Sequence, residues 1–171
     1  YVNQVAERIG RVLVECPLPL KGLIENCPGI DEVIVTGRSR PHVDFQIPMM
    51  SLPRVFKTEI ETIPGEFPYM FVTENLRKKW AGRIEGNRLL KVGLVWKGSD
   101  KHQINALRSP GLAALEPLFD IDGIHWVSLQ KEDEMRDLRD VAMASRINPL
   151  GAQFQNFTDT AAVITHLDLV I

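Results

Sequence analysis

The residues best suited to chemistry cluster in KGSDKHQINALRS, positions 97 to 109, which holds Lys97, Lys101, His102, Arg108 and Ser109. Directly before them, Lys91 to Trp96 (KVGLVW) reads as a buried strand, and Gly98 supplies the bend. A second strand, His125 to Gln130 (HWVSLQ), delivers Gln130 and Lys131 at its carboxyl end. Ligands of open α/β sheets bind in the crevice outside the carboxyl ends of the strands. Two such ends would therefore aim at one rim. Arg offers a planar fork of donors that suits phosphate, whereas Lys acts as a point charge. A helix begun by Ser109 would add backbone N–H groups and positive dipole character. Together these groups would hold a diphosphate without a metal. The same spacing also fits a solvated polar loop followed by a helix cap.

Other polar residues point to structure rather than chemistry. Asp120-Ile121-Asp122-Gly123 has the look of a metal-holding acidic pair, but Asp-Gly after a helix is a turn signal. His125 at a strand start and His166 near a helix end read as packing or surface histidines. Asp168 sits inside an apolar run, where an unpaired carboxylate is costly, so it is expected to accept backbone N–H groups near the strand start. Gly-rich phosphate loops of the dinucleotide or P-loop type are absent, which argues against a dehydrogenase or an NTPase. Cys16 and Cys27 form no metal-ligand pattern with the four histidines and read as a reduced, buried pair. No cofactor or metal is expected.

The elements that must position these residues alternate along the chain. Its 171 residues, 44% hydrophobic and 25% charged with net charge −2, allow one domain or two small ones and argue against a dedicated nucleic-acid binder. No apolar run is long enough for membrane insertion. Val2, Val5, Ala6 and Ile9 have helical spacing. Strands are expected at Arg11 to Cys16 and Glu32 to Thr36, with a third at Val43 to Ile47 and a helix over Leu18 to Cys27. Prolines at 48, 53, 64 and 68 then break the rhythm. Leu76, Trp80 and Ile84 mark a helix with one apolar face, ended by Gly86-Asn87. In the second half, a helix carries Leu112, Leu115, Leu118 and Phe119, and a polar helix carries Met135, Leu138 and Ala142. A last helix carries Phe157, Ala161, Ile164 and Leu167, and Leu167 to Ile171 reads as a buried strand. The expected organisation is α/β: an incomplete Rossmann-like domain over 1–72, a linker helix over 73–90, and a second incomplete one over 91–171.

Several motifs occur together and in order: DFQIPMMSLP (44 to 53), IPGEFPYM (63 to 70), KVGLVWKGSDKH (91 to 102), Arg108-Ser109, WVSLQK (126 to 131) and FTDTAAVITHLDLVI (157 to 171). Through them the chain resembles the heptosyltransferase-like, family-nine glycosyltransferase region of bacterial tetratricopeptide-repeat proteins. The resemblance implies a GT-B fold, with an acceptor-side Rossmann-like domain first and a nucleotide-sugar-side one second. It implies inverting, metal-independent transfer from a nucleotide-sugar donor to a hydroxyl of a protein or glycan acceptor, in the cytoplasm. By motif match, His102, Arg108 and Ser109 fall in the first donor-side loop and Gln130 and Lys131 in the second, with Lys97 and Lys101 as secondary candidates for the diphosphate.

Departures from the pattern supply the competing reading. Asn105 stands where the family commonly has Asp, and Glu132 follows Lys131 where Gly is usual. The family's Gly-rich acidic loop would lie before Tyr1 and its donor-site Asp-Thr and Ala-His segment after Ile171, so the chain reads as an internal piece and the catalytic base is unassigned. The alternative to an enzyme is a degenerate, non-catalytic module for protein interaction or nucleotide binding. Tetratricopeptide repeats in the parent chain are implied by the resemblance alone.

Overall fold

The structure, a computed structural model, describes residues 1–65, 67–84, 89–99, 102–131 and 134–171, without the side chain of Met143. Gly86-Asn87, Lys101 and Glu132, weighed above, lie outside the described residues. The chain forms an α/β fold with parallel sheets and divides into two compact units, Tyr1–Phe71 and Val72–Ile171.

In the first unit, α1 (Val2–Ala6) precedes β1 (Leu13–Cys16), and β1 pairs in parallel with β2 (Glu32–Val35). Between the strands lie a 3-10 turn, Leu18–Leu20, and α2 (Lys21–Ile24). The chain turns back at Gly29, whose φ of 81° is easily reached only by glycine. The expected strand at Val43 to Ile47 does not form. The segment has no ladder partners and bends at Asp44, with Pro41 before it and Pro48 after it, and Phe45 is 81% exposed. Downstream, a 3-10 turn (Met49–Ser51), α3 (Leu52–Val55) and another turn (Ile60–Thr62) are all short, as the prolines require.

The second unit opens with α4 (Glu74–Ile84), whose Trp80 and Ile84 are buried. Four parallel strands follow: β3 (Leu90–Leu94), β4 (Ile124–Ser128), β5 (Ile147–Pro149) and β6 (Leu169–Val170), in the spatial order β5-β4-β3-β6. Short helices α5 (Asn105–Arg108) and α6 (Glu134–Arg139) follow β3 and β4, and α7 (Phe157–Ile164) precedes β6. Successive strand residues point to opposite faces, and each face gains its own core. One holds Val92, Leu94, Trp96, Phe119 and Trp126. The other holds Trp80, Val127, Leu129, Phe154 and Val163. Burying each such side chain contributes roughly 1.5–3 kcal/mol. Gly93 lies on the second of these faces, where a Cβ would come within 2.6 Å of Leu167 and 2.8 Å of Leu129 and would push those side chains aside.

Four expectations change here. The segment carrying Leu112 and Phe119 is a 3-10 helix, Leu112–Asp120, with Pro117 inside it; proline lacks the N–H that an α-helix interior needs. Of the apolar residues expected along the polar helix only Leu138 is buried; Met135 is 57% exposed, and Ala142 falls in a separate 3-10 stretch. The buried face of α7 is Asp159, Ala162 and Val163, while Phe157 and Ile164 lie exposed, because the buried Asp159 carboxylate fixes the helix's rotation toward Trp80. The last strand is half-exposed rather than buried, since β6 is an edge with β3 as its one neighbour. As expected, Asp168 accepts the Lys91 N–H, at 2.8 Å.

Candidate functional site

Strand order alone selects one place for a ligand. From β3 the chain steps outward to β4 and β5, then returns to β6 on the other side of β3. The direction of winding reverses between β3 and β6, and such switch points are where open α/β sheets bind ligands. The segment from Trp96 to Ser109 leaves β3 at its carboxyl end there. Its first residue is anchored by the Trp96 indole, which donates to Asp137 Oδ2 at 2.8 Å. Just before it, the Val95 N–H donates to the Ile171 carbonyl at 2.9 Å, so the end of β6 flanks the loop.

Hydrogen bonds close this loop on itself. The Gly98 N–H donates to Ser109 Oγ at 3.0 Å, and the Ser109 hydroxyl donates to Asn105 Oδ1 at 2.8 Å. Asn105 Nδ2 then returns to the Gly98 carbonyl at 3.3 Å. Only an amide serves both ends of that bridge, because a carboxylate has no donor for the Gly98 carbonyl. Ser109 follows α5 and does not start the next helix, so the expected dipole contribution from a Ser109 cap is absent. Its hydroxyl is committed to the loop.

The cations divide into two groups. The Arg108 guanidinium lies against Gly98: a Cβ on that glycine would stand 3.6 Å from Nη2 and 2.8 Å from Asn105 Oδ1. Arg108 and His102 are both exposed on the same loop, and the His102 N–H donates to the Ser99 carbonyl at 3.0 Å. Lys97 is half-buried and enters through its backbone, whose N–H donates to Gln130 Oε1 at 3.2 Å. That bond ties the first loop to the second. Gln130 itself is buried and holds Ser128 Oγ through its N–H at 3.2 Å. Lys131 turns to the segment before α7, donating to the Phe154 carbonyl and, at 3.2 Å, to that of Gln155. Gln130 and Ser109 are thus joined through the backbone of Lys97 and Gly98, with the Arg108 guanidinium packed against Gly98, while Lys131 serves a neighbouring turn.

Two residues that the sequence did not single out build that turn. The buried Glu134 carboxylate accepts the N–H groups of Gly151 at 3.1 Å and Ala152 at 2.8 Å. Gly151 packs directly on the backbone of Gln130; a Cβ there would fall 2.0 Å from the Gln130 oxygen. Glu134 was hidden in the charged run KEDEMRDLRD, which has the composition of a solvated helix face. Farther off, Asp159 is buried and accepts the Gln155 N–H and the Trp80 indole, both at 2.9 Å, with Lys79 Nζ at 3.4 Å. Burial alone would raise its pKa; the two hydrogen bonds and the Lys79 charge outweigh that and hold it below the ordinary carboxylate value.

The remaining candidates are structural. Asp122-Gly123 is a turn, with Gly123 at φ 80°. His125 Nε2 is buried with no hydrogen-bond partner among the described residues; burial, then the charge of Lys91, lowers its pKa. His166 Nε2 lies 2.9 Å from the Arg77 carbonyl. Cys16 and Cys27 are free thiols, both pushed up in pKa by burial. Among the described residues no three His, Cys, Asp or Glu side chains cluster to hold a metal, and no helix is long and apolar enough to cross a membrane. No family model matches the chain, and no curated protein or solved structure matches it either.

Proposed function

We propose that the second unit holds the diphosphate of a nucleotide-sugar donor, and that the chain is part of a metal-independent, inverting glycosyltransferase of GT-B architecture acting in the cytoplasm. The observation that carries this reading is the placement of Arg108 over Gly98, on a loop braced by Gln130, at the switch point of a parallel sheet. In such a transfer the acceptor oxygen bonds to the anomeric carbon as the bond to the diphosphate oxygen breaks. Negative charge then develops on the leaving nucleoside diphosphate. Fixed cations aimed at that charge lower the barrier, which is where electrostatic catalysis is largest. Arg108 and His102 are the exposed groups for that role; Lys97 stands beside them, and Gln130, Ser109 and Asn105 hold the loop in place. No residue is assigned as the base, and the acceptor is a hydroxyl of a protein or glycan. Tetratricopeptide repeats in the parent chain belong to the same reading.

A second reading is favoured by one observation: Ser109, Gln130 and Lys131 all make internal hydrogen bonds. A degenerate module that binds nucleotide without transferring sugar, or that serves protein interaction, would keep such a braced loop. Calorimetric titration of UDP, ADP and GDP, with an Arg108→Ala variant alongside, tests the site. One diphosphate should bind, and the variant should bind it at least tenfold more weakly. Diphosphate release from the matching nucleotide-sugar separates transferase from module. Absence of binding by all three in the folded chain rejects the donor site.

A further inference from the structure

We propose that Glu134 is a positioning residue: its buried carboxylate fixes the loop after β3 through Gly151 and Gln130, and thereby tunes diphosphate binding at Arg108. The binding step rests on the donor-site reading; the connection between the loops does not. Glu134 opens α6, just after the loop that leaves β4, and it is 1% exposed. Its two oxygens accept successive backbone N–H groups, from Gly151 at 3.1 Å and Ala152 at 2.8 Å. Both donors belong to the turn after β5. Glu134 therefore clamps the connection after β4 onto the turn after β5.

Pairing two donors does not by itself account for a buried charge. A neutral acceptor would satisfy an N–H group without the cost of desolvating an ion. What the carboxylate supplies is one planar group with an acceptor at each end, which fixes both N–H directions at once. Fixing them sets how closely Gly151 approaches Gln130. A Cβ on Gly151 would fall 2.0 Å from the Gln130 carbonyl oxygen and 2.9 Å from its nitrogen, so the two backbones are in direct contact. Groups packed that tightly transmit a displacement rather than absorb it. The Gln130 side chain carries the position onward: it is 5% exposed, and its Oε1 accepts the Lys97 N–H at 3.2 Å. The next N–H, that of Gly98, is held by Ser109 Oγ at 3.0 Å, and the Arg108 guanidinium lies against Gly98. The carboxyl ends of β3, β4 and β5 are thus braced in series, with Glu134 at the far end.

Amide hydrogen exchange, followed by NMR on the 171-residue chain, tests the connection. Glu134→Gln keeps the side chain's size and one acceptor but turns an amide NH2 toward the second donor. Exchange should rise about tenfold at Lys97 as well as at the turn, while Val127 in the core of β4 stays as in the parent. Titration with UDP, ADP and GDP reads the consequence. The variant should bind the diphosphate that the parent selects about tenfold more weakly, yet add no loss in a Gln130→Ala chain, where the path is already cut. The proposal is overturned if Lys97 exchanges as in the parent, if Val127 accelerates equally, or if the two losses simply add. A parent that binds none of the three rejects the donor site, and Lys97 exchange still supports or overturns the brace. Should Glu134→Gln unfold, Glu134→Asp, which keeps the charge but draws it back from the turn, is read in its place.

Discussion

The two units contain the same kinds of element but use them differently. The second unit has four strands and apolar clusters on both sheet faces, so Trp80, Leu94, Phe119, Val127 and Val163 are all within 2% of full burial. The first has two strands, and Val43, Phe45, Met50, Ile60, Ile63, Phe67, Tyr69 and Phe71 remain exposed. Two-stranded pairs are marginal alone, because they leave too little apolar area to bury. The comparison teaches that a polar loop needs a finished sheet beneath it. The braced loop after β3 stands on the packed unit, whereas the segment after β2 joins no ladder and is tied to β1 through the Arg40–Glu15 ion pair.

That contrast is open to direct attack. Trp80→Ala should cost the second unit about 3–5 kcal/mol, measured by denaturant unfolding, since it deletes a fully buried ring packed edge-on to Phe154 at 5.2 Å. Gly151→Ala should cost about 3 kcal/mol, because the new methyl has only the Gln130 backbone to displace; it should also loosen the Lys97–Gln130 connection. Asp159→Ala should cost roughly 2–3 kcal/mol by leaving the Trp80 indole and the Gln155 N–H unpaired.

Acid should weaken the same unit first. Asp159 has a folded pKa below its unfolded one, so its contribution is present above the unfolded value and is lost as pH falls through the folded one. His125, also depressed, adds a loss beginning as pH drops through the ordinary histidine range, because the unfolded chain takes up that proton more readily. His125→Gln should remove the histidine portion of an unfolding-midpoint profile and leave the carboxylate portion. At the small end, Phe45→Ala in the first unit should change stability by less than about 0.5 kcal/mol, as an 81% exposed ring has little packing to lose. A cost above 2 kcal/mol there would mean that Phe45 is covered in solution and would end the contrast.

The alternation of apolar runs and turns made β1, β2, β3 and β4 readable to within two residues, since short runs of strand-forming residues bounded by turn signals leave a strong local trace. What stayed hidden was decided by distant partners. β5 is three residues ending in Pro149, and it is a strand because Trp126 to Ser128 pair with it. Val43 to Ile47 has strand composition and no neighbour to pair with, so the same local signal gave the opposite outcome. The basic loop at the end of β3 was legible from residue types, and so was its place on the rim. Its internal bracing was not: that Asn105 links Gly98 to Ser109, and that Gly151 presses on Gln130, are facts of side-chain reach across loops.

The Asn105 bridge has a thermodynamic consequence. A loop already closed on its own amide, hydroxyl and backbone groups has surrendered most of its conformational freedom before any anion arrives. On the proposed donor-site reading, association would then carry only a small ordering penalty, and affinity would depend chiefly on how long the anion stays rather than on how often the loop finds its shape. Replacing Asn105 with Asp would shift that ordering cost from folding to binding, and it would register as a less favourable entropy of association.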